Sequence, residues 1–180
     1  EQIQEIVLEQ QKEFDRIWNE ILRELKKDKI FLVNDTQLNR AQQKFVLDYF
    51  NEEIRGNIIP LMIESIQNFP VLSDKSIYLA CKLSRKDKSV PQKFALVSVP
   101  ARRLPRFTIL PSRSNEKHII LLEDMIRFCL PHIFSFFGYD SFSSWIIKVT
   151  RDAEIDIDED ISTTIIQKIE KGIKDRKSVV

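Results

Sequence analysis

Glycine, cysteine and long hydrophobic stretches are all scarce in this sequence, and each shortage excludes a class of protein. The 180 residues contain 3 glycines, so a glycine-rich phosphate-binding loop and a flexible low-complexity linker are both excluded. The 2 cysteines, Cys81 and Cys129, lack the spacing of a zinc or redox motif. We interpret them as buried thiols of a reducing compartment. No stretch approaches the roughly 18 apolar residues of a transmembrane segment.

An excess of charge of one sign is also missing. The sequence has 28 Lys and Arg against 27 Asp and Glu, a net charge of +1, so no overall field favours nucleic acid or an acidic membrane surface. A polyanion would have to bind a local basic patch. The N-terminal EQIQEIVLEQQ lacks the basic start and apolar core of a signal peptide. The length suits one large domain, or one and a half small ones, with a sizeable core, and the 43% hydrophobic content is ordinary for a soluble globular protein.

Helical periodicity dominates both ends of the chain and one inner segment. The N-terminal segment repeats apolar residues at helical spacing over about seven turns, at Ile3, Ile6, Val7, Phe14, Ile17, Trp18, Ile21, Leu22 and Leu25. A second helix is predicted to begin near Asn39, a favourable N-cap residue, and to end by Gly56. A third is predicted from Glu123, with Pro131 kinking or dividing it. The C-terminal DEDISTTIIQKIEKGIKDRK predicts a closing helix with dipole-compatible charges.

Strand-like patterns fill the middle of the sequence. SIYLACKLS at 76–84 and KFALVSV at 93–99 are rich in β-branched and aromatic residues, and the polar segment between them predicts a hairpin. RFTIL at 106–110 and HIILL at 118–122 predict two shorter strands, and SSWIIKVTRDAEIDI predicts the longest one. NIIPLMI is interpreted as an extended turn. We therefore predict an α+β fold, an antiparallel sheet flanked by helices with a long N-terminal helix.

The stretch KVTRDAEIDIDED concentrates the most acidic chemistry in the sequence. Neither Asp152 nor Asp156, taken as the first position of an EF-hand loop, places Gly sixth and Glu twelfth. A period of two fits better, because in a strand one face carries only carboxylates, namely Asp152, Glu154, Asp156 and Asp158. We favour a solvated or ion-paired edge with Asp158 capping the last helix. A buried arginine–carboxylate network and a metal or catalytic pair remain alternatives.

The loop PARRLPRFTILPSR at 100–113 concentrates four arginines, which are Arg102, Arg103, Arg106 and Arg113. Guanidinium groups match phosphate oxygens, so these residues are candidates for a phosphate-binding fork, although a solvated basic loop is the favoured interpretation. His118 and His132 have no partner at ligand spacing and are interpreted as structural or surface residues. No nucleophile motif such as G-x-S-x-G is present. The residues alone do not describe a complete enzyme.

Several segments together resemble one protein family. LLEDMIRFCLPHIFSFFGYDSFSSWIIKVTRDAEIDIDED resembles the part of bacterial polyphosphate kinase in which a Leu-Leu-acidic helix precedes a strand ending in Thr-Arg-Asp-Ala-Glu. YFNEEIRGNIIPLMI, FPVLSDKSIYLACKL and VSVPARRLPRFTILP stand in the order of that family's middle, or head, domain. The family motif maps onto Thr150, Arg151, Asp152 and Glu154, for which a structural role is expected. The Leu-Pro-Arg-Phe segment at 104–107 is the next most specific.

The resemblance implies an enzyme that reversibly moves the terminal phosphoryl group of ATP onto polyphosphate through a phosphohistidine, using ATP and magnesium. In that family the histidine lies in the C-terminal half, so no catalytic residue or metal site is expected in this chain. The expected organisation is a linking helix at 1–30 and a head domain at 31–180. This domain is then inactive alone and supports dimer contacts and the tunnel for polyphosphate, with Arg102, Arg103, Arg106 and Arg113 as candidates.

The partners implied are the rest of the polyphosphate kinase chain, a second copy of the enzyme, and polyphosphate, but not nucleic acid. The expected location is cytoplasmic, with peripheral membrane association of the full-length enzyme left open. Two alternatives from other classes remain. One is a freestanding protein-interaction module that uses the N-terminal helix, and the other is a basic-loop polyanion binder that acts without catalysis.

Overall fold

A computed structural model of the chain describes residues 2–63, 72–113 and 115–150. The N-terminal helix α1 spans Gln2–Lys27, as its periodicity predicts. After Asp28 and Lys29, the latter with a φ of 59°, the chain enters strand β1, Ile30–Val33. The predicted long N-terminal helix is therefore confirmed. The proposed boundary between a linking helix at 1–30 and a domain at 31–180 stays a prediction.

Helix α2, Arg40–Tyr49, begins where the sequence predicts, because Asn39 closes a capping box. The Gln42 backbone N–H donates to Asn39 Oδ1 at 3.0 Å, and the Asn39 backbone N–H donates to Gln42 Oε1 at 3.1 Å. This exchange satisfies two donors that the first turn of a helix otherwise leaves unpaired. The chain continues through a π-helical turn, Phe50–Ile54, and a 3₁₀ turn, Arg55–Asn57, so helical structure runs to Gly56 and its neighbour.

The strands within the described residues form two sheets. Sheet A has the order β1-β6-β5, with β5 at Phe107–Leu110 and β6 at Lys117–Leu121. Sheet B has the order β2-β4-β3-β7, and its strands are Pro60–Met62, Lys93–Ser98, Ser76–Ser84 and Ser141–Val149 respectively. Sheet B is antiparallel throughout, whereas β1 runs parallel to β6.

The hairpin predicted from 76–84 and 93–99 is the centre of sheet B, and apolar residues cover both of its faces. Successive side chains in a strand point to opposite faces. Leu79 and Val97 therefore lie in the main core, while Tyr78 and Leu96 belong to a second cluster on the other face. The main core also receives α2 and the segment after sheet A, and its fully buried large side chains include Phe50, Met125 and Phe134.

Pro131 divides the third helical segment, as predicted. Helix α3 spans Leu122–Phe128 and helix α4 spans Leu130–Ile133, followed by a 3₁₀ turn at Ser135–Phe137. Proline has no N–H to donate, so the first turn of a new helix is the position where it costs least. Helix α3 follows β6 without an intervening loop, which brings its first turn to the edge of sheet A.

The α+β class with antiparallel pairing and flanking helices is confirmed, and the structure adds features that the sequence analysis did not include. Strands β1 and β2 were not predicted, and the strands belong to two sheets. Strand β7 ends at Val149, whereas the predicted strand runs to Ile157. Residues 151–180, with the predicted closing helix and the capping role of Asp158, lie outside the described residues.

Candidate functional site: an arginine loop beside a buried ion-pair network

A compact turn holds the first part of the arginine loop in place. The backbone N–H groups of Arg103 and Leu104 both donate to Pro100 O, at 2.9 and 3.0 Å, and the Val99 N–H donates to Ile77 O at 2.9 Å. Leu104 packs against the main core between the exposed arginines. Pro100, Pro105 and the half-buried Leu104 therefore fix the backbone and direct the neighbouring arginines outward.

Arg102 and Arg103 are exposed and make only neutral contacts among the described residues. Arg102 Nη2 donates to Asp74 O at 2.9 Å, and Arg103 Nη1 donates to Asn57 Oδ1 at 3.5 Å. A guanidinium group has five N–H donors, so most of the donors of both residues remain available. These two arginines keep the properties that phosphate binding requires.

Arg106 is engaged in a bidentate ion pair. Its Nε and Nη2 donate to Glu123, with the shortest contact, Nη2 to Oε1, at 2.5 Å. The side chain of Glu123 is 0% exposed and that of Arg106 is 44% exposed. The carboxylate raises the pKa of Arg106 through this hydrogen bond. Because the charge of Arg106 is compensated by Glu123, its attraction for a polyanion is weaker than that of Arg102 or Arg103.

A second ion pair lies beside the first, in the same turn of α3. Asp124 accepts a hydrogen bond from Arg127 Nη1, and Arg127 Nε donates to Ser144 Oγ at 3.0 Å. Arg127 Nη1 also lies 3.5 Å from Asp35 Oδ1, beyond the end of β1. Burial raises the pKa of Asp124 to about 6, and the positive charge of Arg127 opposes that shift. The network thus ties α3 to both sheets.

Arg113 is separated from the other three arginines. The four residues of β5 stand between Arg106 and Arg113, which amounts to roughly 14 Å of extended chain. Arg113 lies instead at the other end of sheet A, in a hollow that Lys29 and Lys117 also line. The structure therefore does not bring the four candidate arginines together into one fork. It places Arg102, Arg103 and Arg106 at one end of β5 and Arg113 at the other.

His118 is held by side-chain hydrogen bonds rather than directed into a cavity. Gln42 Nε2 lies 2.9 Å from His118 Nδ1, and Glu116 Oε2 lies 3.1 Å from His118 Nε2. Gln42 Nε2 also donates to Pro111 O, so the amide is the donor to Nδ1 and the neutral ring carries its proton on Nε2. His132 is exposed on α4. Both placements fit the structural or surface roles expected for these histidines.

The remaining predicted residues fall into three groups. Cys81 and Cys129 are buried and unpaired, and burial raises the pKa of both thiols to about 12. Thr150 is exposed, whereas Arg151, Asp152 and Glu154 lie outside the described residues.

Within 2–63, 72–113 and 115–150, no three His, Cys, Asp or Glu side chains are grouped as metal ligands. None of the helices in these ranges is long and apolar enough to span a membrane.

The acidic half of this site, Glu123 and Asp124, was not predicted from the sequence. Acidic residues in the first turn of a predicted helix are expected to be exposed, since charged residues are rarely buried unless they are paired. Their partners, Arg106 and Arg127, come from 17 residues upstream and 3 residues downstream. One signal in the sequence could have indicated them: the acidic pair directly follows the apolar run HIILL. A carboxylate that close to the core requires a cation as its partner.

These features define a class of protein: an α+β domain with two sheets, a basic loop and a structural ion-pair network. A family model described as polyphosphate kinase middle domain matches residues 41–179. The polyphosphate kinase of Vibrio vulnificus (strain YJ016) is 38% identical over 167 residues, covering 91% of this chain and 23% of the relative. The chain belongs to the polyphosphate kinase family and corresponds to its middle domain, which confirms the resemblance.

Two further relatives agree with this assignment. The polyphosphate kinase of Escherichia coli (strain K12) is 35% identical over 178 residues, covering 97% of this chain and 25% of the relative. The crystal structure of polyphosphate kinase from Porphyromonas gingivalis superposes with a TM-score of 0.75 at 30% identity, covering 87% of this chain and 24% of that one. The chain thus spans about a quarter of the length of the relatives it matches.

Proposed function

We propose that this chain is the middle domain of an enzyme that reversibly transfers the terminal phosphoryl group of ATP to polyphosphate. Its similarity to polyphosphate kinases over nearly its whole length supports this. We assign the phosphohistidine step to residues beyond this chain, because His118 is tied to Gln42 and Glu116 and His132 has no acidic partner among the described residues. The domain then acts by binding and positioning, which supply much of the rate enhancement in phosphoryl transfer.

We assign ATP and magnesium to the longer polypeptide as well. Magnesium prefers oxygen ligands from carboxylates and phosphates. The buried carboxylates that the structure describes, Glu123 and Asp124, already pair with Arg106 and Arg127. The described residues therefore do not fit a magnesium site.

The contribution of this chain is a basic surface beside the path of the polyphosphate and a contact surface for a second copy. The observation that carries the first part is the exposure of Arg102 and Arg103 on a rigid turn, with neutral oxygens as their only described partners. Arginine binds phosphate oxygens bidentately, so two such residues side by side suit a polyanion better than a single compensated one. Arg106 supports the turn through Glu123.

Kinetics of the full-length enzyme test this assignment. Replacing Arg102 and Arg103 together with Gln is expected to raise the KM for polyphosphate about threefold to tenfold, as the loss of exposed charged hydrogen bonds predicts. The KM for ATP should change little. The matched control replaces Arg23 and Lys26 of α1 with Gln, which removes the same charge elsewhere. Equal effects of the two double variants on the KM for polyphosphate would contradict the assignment.

The alternative, a polyanion binder without catalytic activity, predicts the same binding residues. It differs in predicting that no polyphosphate is synthesised. Under that alternative, the full-length protein binds polyphosphate but forms none from ATP. An assay of polyphosphate formation by the full-length protein separates the two proposals, because only the kinase proposal requires synthesis.

A further inference from the structure

A hollow at one end of sheet A collects three cations. Lys29 lies between α1 and β1, Arg113 follows β5, and Lys117 begins β6. The hollow has a volume of about 530 Å³, within the range of roughly 300 to 1,000 Å³ that is typical of small-molecule sites. It is separate from the turn that carries Arg102 and Arg103, because the whole of β5 lies between that turn and Arg113.

Backbone hydrogen bonds fix the positions of these three residues. The Lys117 N–H donates to Lys29 O at 2.9 Å, which joins the entry of β1 to the start of β6. The N–H groups of Asn115 and Glu116 both donate to Arg113 O, at 2.7 and 3.1 Å, so the connection between β5 and β6 forms a tight turn. Lys29 has a φ of 59°, a left-handed conformation that residues other than glycine rarely adopt. The cations are therefore carried by backbone that sheet A and its turn hold in place.

The charges of the three cations are not compensated by neighbouring carboxylates. Among the described residues, none of the three has an ion-pair partner. Asp28 and Glu116 line the same hollow, but neither carboxylate lies within ion-pair distance of them. Glu116 Oε2 instead lies 3.1 Å from His118 Nε2. The ammonium and guanidinium groups are therefore available to a ligand.

The neutral side chains of the hollow add a further donor. Ser112 Oγ donates to Glu116 O, whereas the side-chain amide of Asn115 has no hydrogen-bond partner within the described part of the chain. Apart from the two carboxylates, the free polar groups of the hollow are thus N–H donors. Phosphate oxygens accept hydrogen bonds from such groups, in bidentate fashion from arginine and at a point charge from lysine.

We propose that this hollow binds a phosphate-bearing anion, with Lys29, Arg113 and Lys117 as its charged contacts and Asn115 as a neutral donor. The site lies apart from the arginines proposed to bind polyphosphate, so the inference goes beyond the proposed function and does not depend on it. A ligand in the hollow contacts the joint between α1 and β1 through Lys29 and the edge of sheet A through Lys117. Its binding therefore ties the N-terminal helix to the sheet.

The affinity should increase with the number of linked phosphate groups. A single exposed ion pair contributes little free energy, and the three cations come from two separate segments of the chain. An anion with several phosphates can contact more of them at once than inorganic phosphate can. Inorganic phosphate, a polyphosphate end and the diphosphate of a nucleotide share this chemistry, so the ligand source is a question for titration.

NMR titration of the isotope-labelled 180-residue chain tests the site. Inorganic phosphate, pyrophosphate, tripolyphosphate and ADP are added separately at low salt, because salt screens exposed charges. We expect tripolyphosphate to shift the backbone amide signals of Lys29, Asn115 and Lys117, with a Kd about fivefold or more below that of inorganic phosphate. Tighter binding of ADP than of pyrophosphate would assign the site to a nucleotide. Equal or weaker binding of ADP would assign it to inorganic phosphate chains.

Matched variants separate the hollow from a general effect of charge. Replacing Arg113 and Lys117 together with Gln should raise the Kd for tripolyphosphate about tenfold. The control replaces Lys86 and Lys88 with Gln, two exposed lysines between β3 and β4 of sheet B, and should leave the Kd within about twofold. Arg113→Lys keeps the charge and should weaken binding less than Arg113→Gln does.

The possible results distinguish this inference from the proposed function. Unchanged signals at Lys29, Asn115 and Lys117, or equal losses of affinity in the two double variants, would overturn the hollow as a phosphate site. Shifts confined to Arg102 and Arg103 would also overturn it, while leaving the proposed function intact. Shifts in the hollow that persist when Arg102 and Arg103 are both replaced with Gln would support a second site, whatever the kinetic test of those arginines shows.

Discussion

At the scale of single residues, the most informative feature is that two adjacent carboxylates, Glu123 and Asp124, are buried in the first turn of α3. An acidic residue near a helix N-terminus gains from the helix dipole, but only by about 0.3 to 1 kcal/mol at exposed sites. That is too little to offset the removal of a carboxylate from water. Arginine side chains must therefore compensate the buried negative charges. Glu123 pairs with Arg106, and Asp124 pairs with Arg127.

Loss of Arg106 should be more costly than loss of the whole pair. Arg106→Gln leaves the fully buried Glu123 uncompensated, so we expect a decrease of about 3 kcal/mol in the free energy of unfolding. The double variant Arg106→Met with Glu123→Leu removes the buried charge as well and should cost clearly less. Urea unfolding monitored by circular dichroism measures both. An Arg106→Gln variant as stable as the parent chain would show that the ion pair is not needed.

Asp124 predicts a specific dependence of stability on pH. Its pKa is raised from 3.8 to about 6 by burial, so between these values the folded state binds more protons than the unfolded state. Stability contributed by this residue is therefore present below about pH 4 and is lost as pH rises through 6. The expected loss is about 2 to 3 kcal/mol.

Asp124→Asn isolates that contribution from all other titrating groups. The difference in unfolding free energy between the parent chain and Asp124→Asn should shift against the parent chain as pH rises from 4 to 7. Denaturant titrations of both proteins at several pH values measure it. A difference that stays constant over this range would mean that the two carboxyl environments, folded and unfolded, have the same pKa.

At the scale of elements, local signals predicted the boundaries that depend on local hydrogen bonds. Asn39 begins α2 because its side chain replaces a missing intrahelical acceptor. Pro131 separates α3 from α4 because it lacks an N–H. Strand β1 was missed, since its four residues IFLV are too few to show a period. Its pairing with β6, 87 positions later in the chain by register, has no local signature.

The capping box gives a prediction for α2. Asn39→Ala removes the acceptor of the Gln42 N–H and should lower the free energy of unfolding by about 1 kcal/mol. Asn39→Asp keeps an acceptor and should stay within about 0.5 kcal/mol of the parent chain. Thermal unfolding of the three proteins measures the difference. Equal destabilisation by Ala and Asp would indicate that packing of Asn39, rather than capping, is responsible.

At the scale of the whole molecule, the two sheets differ in how their faces are covered. Sheet B is covered by apolar clusters on both faces, and it carries the hairpin that holds the arginine turn through the bond between Val99 and Ile77. Among the described residues, the main core covers one face of sheet A, and Phe107 and Ile109 on its other face are exposed. The turn that carries Arg102 and Arg103 is therefore supported by sheet B.

Purified alone, the 180-residue chain is expected to form no polyphosphate from ATP and magnesium. The physical reason is that the proposed transfer uses a histidine nucleophile directed at the phosphate, whereas His118 has both ring nitrogens occupied by Gln42 and Glu116. Polyphosphate synthesis measured beside the full-length enzyme as a positive control tests this. Synthesis by the isolated chain that also disappears in His118→Ala would place the chemistry within this domain.

The sequence by itself determined the features whose causes lie within a few residues: the extent of α1, the start of α2, the break at Pro131, the central hairpin and the α+β class. Periodicity and capping depend on neighbours in the chain, so they can be recognised without a structure. Only the tertiary structure decided which charges are compensated and which apolar faces are covered. Arg106 meets Glu123, and Gln42 meets His118, because the topology brings distant segments together. Burial then decides whether an arginine stabilises the fold or remains available to a phosphate.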